Sequence, residues 1–86
     1  MPEISRFFGI IIAMFYDDHN PPHFHARYGD YKAAVRIEDF AVLDGHLPPR
    51  ALGLVMEWAE IHKDELMADW TLARANKPPQ QIEPLK

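Results

Sequence analysis

The chain has 86 residues, of which 48% are hydrophobic and 26% charged, with a formal net charge of −4 and no cysteine. This is the length of one domain, apolar enough to fold and too acidic overall for a dedicated non-specific nucleic-acid binder. The lack of cysteine excludes disulfides and zinc–cysteine sites and leads us to expect a reducing, cytoplasmic location.

Negative charge is spread along the chain. Residues 1–46 hold four Lys/Arg and seven Asp/Glu, and residues 47–86 hold five and six. Nucleic acid would therefore need a local basic patch, while a basic protein partner would suit the surface as a whole.

Residues 4–16 are rich in β-branched and aromatic types and predict one long first strand, buried on both faces near Ile10–Ile12. Gly9 is expected to mark a bulge or a close approach. The apolar run Phe7–Tyr16 is about ten residues, too short to span a membrane, so no membrane association is expected. Asp17–Pro22 reads as a turn, with Pro21 forcing Asn20 out of the helical region.

His23–Tyr28 and Tyr31–Ile37 then predict a hairpin around Gly29-Asp30, where glycine at the first loop position suits a two-residue type II′ turn. Pairing outward from that turn places Tyr28 opposite Tyr31, Arg27 opposite Lys32, Ala26 opposite Ala33, His25 opposite Ala34, Phe24 opposite Val35 and His23 opposite Arg36. One face becomes apolar, and the other gathers His23, His25, Arg27, Lys32 and Arg36.

Phe40–Leu43 reads as a short fourth strand ended by Asp44-Gly45. Pro48 and Pro49 suit the first turn of a helix, where a missing N–H is harmless. An apolar stripe from Leu52 to Ala73 at three- and four-residue steps predicts helices over about 49–62 and 64–75, or one kinked helix, with Asp64 able to cap the second. The tail from 77 to 86 should be extended. The whole is a single α+β domain, 1–86: a three- to four-stranded antiparallel sheet followed by two helices packed on one face.

The segment Asp17–Gly29 concentrates the chemistry. Two arginines, a lysine and two histidines on one sheet face match phosphate, because arginine offers bidentate geometry and histidine can give or take a proton. Such a face can bind RNA. It can also cleave RNA without a metal, with His23 and His25 as acid and base. A second reading is a divalent-metal site at His19, His23 and His25 with Asp17 or Asp18 nearby; the neighbouring cations weigh against it, so no metal and no cofactor is favoured. A third is structural: the polar face is merely solvated and Asp17 and Asp18 cap the turn. His46 and His62 read as surface residues, and Trp58 and Trp70 as core or partner-facing aromatics.

The run Met14–Gly29, MFYDDHNPPHFHARYG, resembles the signature of the bacterial domain-of-unknown-function family 4160. Ile4–Phe7, Leu47–Arg50, Glu57–Ala59, His62, Glu65-Leu66 and Trp70 resemble it too. The resemblance implies a small bacterial protein that works with a protein encoded by a neighbouring gene, in an arrangement similar to toxin–antitoxin pairs. It carries no catalytic residues over. The leading expectation is thus a toxin–antitoxin-like module that binds RNA or another phosphate-bearing ligand through His23, His25, Arg27, Lys32 and Arg36, with His19 and Asp18 orienting the histidines. Metal-independent ribonuclease activity and homo-oligomerisation are both left open. The alternative is a non-enzymatic interaction module, an antitoxin or regulator subunit, using the helices around Trp58, Trp70, Glu57, Glu60, Glu65 and Asp69.

Overall fold

A computed structural model describes residues 2–86. Five antiparallel strands follow one another in chain order across a single sheet: β1 Glu3–Phe7, β2 Ile10–Ala13, β3 His23–Tyr28, β4 Tyr31–Arg36 and β5 Val42–His46. Helices α1 (Pro49–Ile61) and α2 (Lys63–Arg74) complete the α+β fold. No helix among the described residues is long and apolar enough to cross a membrane.

The expected single strand over 4–16 is two strands folded back on each other. Phe8 and Gly9 form the turn, both at positive φ, +50° and +81°. A phenylalanine in the left-handed region is rare, so local sequence hides this bend. Gly9 also marks a close approach, since a Cβ there would lie 3.4 Å from the Tyr28 ring. The hairpin puts Phe7 opposite Ile10 and Ser5 opposite Ile12 on the inner face.

The β3–β4 hairpin has the register its turn implies, from Tyr28 opposite Tyr31 to His23 opposite Arg36. Gly29 takes φ +59° while Asp30 stays at negative φ, the pattern a type II′ turn requires. Phe24, Ala26, Ala33 and Val35 are consequently buried on the inner face.

The last strand lies two residues later than expected. Phe40 adopts φ +60° within a turn closed by the Phe40 N–H donating to Arg36 O, so pairing resumes only at Val42. Asp44-Gly45 does not end the strand but lies inside it, past a bulge where Ala34 pairs with Asp44 and Val35 with Val42.

The helices cover the inner face. Pro49 occupies the first turn of α1, and a break at His62 separates it from α2. The second helix begins at Lys63, with His62 as its cap residue and Asp64 and Glu65 in its first turn, where carboxylates favour the helix dipole. Trp58 is fully buried against Phe7 and Phe24, and Val55, Ala59, Leu66 and Ala73 complete the contact layer. Burying each large side chain is worth about 1.5–3 kcal/mol.

The tail after α2 has no regular structure but is tied down. The Ile82 N–H donates to Ile4 O at 2.8 Å on the edge strand β1, and the Trp58 indole N–H donates to Glu83 O at 2.8 Å. The tail and most of both helices therefore serve the inner face, and the outer face carries the polar side chains.

Candidate functional site on the outer sheet face

Two cross-strand rows define the outer face. In the first, Arg6 pairs with Ile11, Ile11 with Arg27, Arg27 with Lys32 and Lys32 with His46. In the second, Ala13 pairs with His25, His25 with Ala34 and Ala34 with Asp44. Directly paired residues present their side chains on the same side, so cations crowd one row while alanines leave the adjacent row shallow. The result is an open groove of about 550 Å³. It is lined by Ile11, Phe15, His25, Arg27, Lys32 and Asp44, with the small Ala13 and Ala34 among them.

The cations of this face are not equivalent. Arg6 is held by Glu3 at 2.8 Å. Arg36 makes a two-pronged ion pair with Asp39, Nε to Oδ1 at 2.8 Å and Nη2 to Oδ2 at 2.9 Å. That pair, helped by the Ala41 N–H, lowers the Asp39 carboxyl to about 2 and raises the Arg36 guanidinium. Arg36 was expected among the ligand-binding residues; the turn at 37–41 instead brings Asp39 onto it. Arg27 and Lys32 are exposed and, among the described residues, engage in no ion pair.

The histidine cluster borders the groove through His25. His25 Nε2 lies 2.9 Å from Asp18 Oδ2, and His23 Nε2 lies 3.4 Å from the same oxygen. His23 Nδ1 donates to the Pro21 carbonyl at 2.8 Å, since a carbonyl can only accept. The ring of Phe15 packs edge-on to His25 with centroids 4.4 Å apart.

α2 supplies the other half of the support. Trp70 packs on His23, ring centroids 5.3 Å apart, and the Arg74 guanidinium lies over Trp70 at 5.8 Å. Arg74 Nη1 also donates to the Asp18 carbonyl at 3.2 Å, anchoring the loop that carries the carboxylate.

The structure thus brings together Asp18, His23 and His25, whose ligand-type atoms all lie within 4.8 Å of one another. His19, expected among them, is exposed and lies outside the group, as does Asp17. The loop takes His19 away while Asp18 turns inward. Sequence reasoning missed three contributors. Phe15 was read only as strand, and Arg74 gave no local signal because it lies 56 residues from its partner. His46 reads in the sequence as an ordinary surface residue, yet it ends the cationic row. His62 sits at the break between the helices, bonded through Nδ1 to Glu65.

A search of curated proteins and a search of solved structures find no match for this chain. A family model does match, over residues 9–71, a span that runs from Gly9 through the histidine cluster, all of α1 and most of α2. The chain therefore belongs to the family described as "Domain of unknown function (DUF4160)".

Proposed function

We propose that the outer groove binds a phosphate-bearing ligand, and that this ligand is single-stranded RNA. The observation that carries the reading is the Arg27–Lys32 cross-strand pair: two exposed cations at one register position, without ion pairs among the described residues, in a protein of net charge −4. Two adjacent like charges cost stability unless an anion joins them. Phe15 and Ile11 offer apolar surface beside them for a base, and the groove is open enough for a strand to pass.

The geometry favours binding over metal-free cleavage. A pair of histidines acting as acid and base must flank the phosphate. Here both Nε2 atoms address one oxygen of Asp18. The helical interaction surface is also less available than the alternative reading needs, because Trp58 and Trp70 are 0% and 5% exposed and Asp69 is buried. We place the binding activity in a toxin–antitoxin-like pair with a second small protein, the setting that the family resemblance implies.

Fluorescence anisotropy with a labelled single-stranded oligoribonucleotide tests the reading. Affinity should fall with salt, and Arg27→Ala and Lys32→Ala should each weaken it, whereas Arg36→Ala should leave it nearly unchanged. Binding that is absent from the wild type at low salt, or indifferent to Arg27 and Lys32, would remove the basis of the proposal.

A further inference from the structure

We infer that Asp18, His23 and His25 form a binding site for one first-row divalent transition-metal ion, such as zinc. The inference begins with a hydrogen. The Pro21 carbonyl accepts from His23 Nδ1, so in the neutral ring that nitrogen carries the proton and Nε2 is a bare lone pair. That lone pair faces Asp18 Oδ2 at 3.4 Å. Two acceptors pointing at each other on a side chain only 12% exposed repel unless a cation, whether a metal ion or a second ring proton, lies between them. The Asp18–His25 contact is at ordinary hydrogen-bonding distance; the His23–Asp18 contact is longer.

Two of the three spacings match those around an ion. Nitrogen and oxygen ligands at about 2.1 Å from a metal stand about 3.0 Å apart at right angles and about 3.4 Å apart at tetrahedral angles. The two distances to Asp18 Oδ2 are 2.9 and 3.4 Å. The surroundings match those of ligating histidines, whose second nitrogen normally donates to a carbonyl or carboxylate, as His23 does to Pro21. Trp70 holds the His23 ring, and Arg74 fixes the loop through the Asp18 carbonyl. Two imidazoles and one carboxylate suit zinc or ferrous iron and leave coordination positions open.

The cations near the site do not forbid a dication. Arg36 is neutralised by Asp39, and Arg27 and Lys32 belong to the neighbouring row. Asp44 lies on the same row as His25, across Ala34, and adds negative charge. Arg74 is the cation on the helix side, with its guanidinium over the Trp70 ring.

The test uses the full chain without an affinity tag, stripped with chelator and titrated with Zn²⁺ by calorimetry and with Co²⁺ by visible absorption. The wild type should take up one ion per chain and give a cobalt d–d band. Asp18→Asn and His25→Gln should lower zinc affinity at least tenfold while keeping the wild-type circular dichroism; His19→Ala, outside the cluster, should bind as the wild type does. His25 is the more exposed of the two histidines, so its variant reports on binding even if a change at His23 disturbs folding. A folded wild type with no saturable uptake, or equal affinity in all variants, would overturn the assignment. No RNA enters this measurement, so its outcome is independent of the phosphate reading.

Discussion

Asp18 and His25 are seven residues apart in the chain, yet their carboxylate oxygen and Nε2 meet at 2.9 Å where the turn before β3 folds back over the outer sheet face. This contact couples the loop to the strand. Asp18→Ala and His25→Ala should each destabilise the metal-free protein by about 1 kcal/mol, and the double variant should lose less than the sum. Chemical denaturation of the four proteins measures the coupling; strictly additive losses would mean that the pair contributes nothing.

Ion pairing divides the cations of the outer face into two kinds. For single-stranded RNA, each phosphate contact contributes a slope of about 0.7 in log affinity against log salt. Removing Arg27 or Lys32 should flatten the slope by about that amount. Removing Arg36, already bound to Asp39, should not. A slope that responds equally to all three substitutions would show that the Arg36–Asp39 pair opens on binding.

Gly45 lies inside β5 at φ +72°, and a Cβ there would run into the Lys32 carbonyl oxygen of β4. The collision is with backbone, so a side chain cannot swing clear of it. Gly45→Ala should cost about 2 kcal/mol or more and loosen the strand that carries Asp44 and His46. Urea denaturation, together with hydrogen exchange of the β5 amides, measures this; a change below about 0.5 kcal/mol would mean that β5 is not held in this register.

Asp69 is buried in α2 with Oδ2 lacking a partner among the described residues, while Oδ1 accepts from the Gln80 N–H at 2.7 Å. Burial raises its carboxyl above the ordinary range, the Gln80 bond opposes this, and Glu65 adds to it. A carboxyl raised in the folded state favours folding below its unfolded value, and that contribution is lost as pH rises through the folded value. The difference in melting temperature between Asp69→Asn and the wild type should therefore grow in favour of the variant from about pH 4 to about pH 7. A difference that stays constant with pH would exclude Asp69 as the source.

The legible parts of the fold were those with local rules. Gly29-Asp30 sets a two-residue turn, and alternation on either side of it fixes which residues share a face, so the His–Arg wall could be read directly. Pro48-Pro49 and the apolar stripe likewise announce the helices. The first strand was misread because its bend rests on Phe8 at positive φ, which the neighbouring isoleucines disguise. The site was half legible. His23 and His25 follow from strand periodicity, but whether Asp18 or His19 turns inward depends on the path of an irregular loop. That path is held by Arg74 and Trp70, distant in sequence and visible only once α2 is packed. The capture of Arg36 by Asp39 depends on the same kind of information, a turn whose shape local propensity does not reveal.

The most direct test of the central claim is an amide chemical-shift titration of the isotope-labelled protein with a short single-stranded oligoribonucleotide at low salt. The account predicts shifts that saturate together and map to Ile11, His25, Arg27, Lys32, Ala34 and Asp44 along the outer groove, leaving the helical surface largely unmoved. Shifts confined to α1 and α2, or no saturable shifts at all, would contradict it.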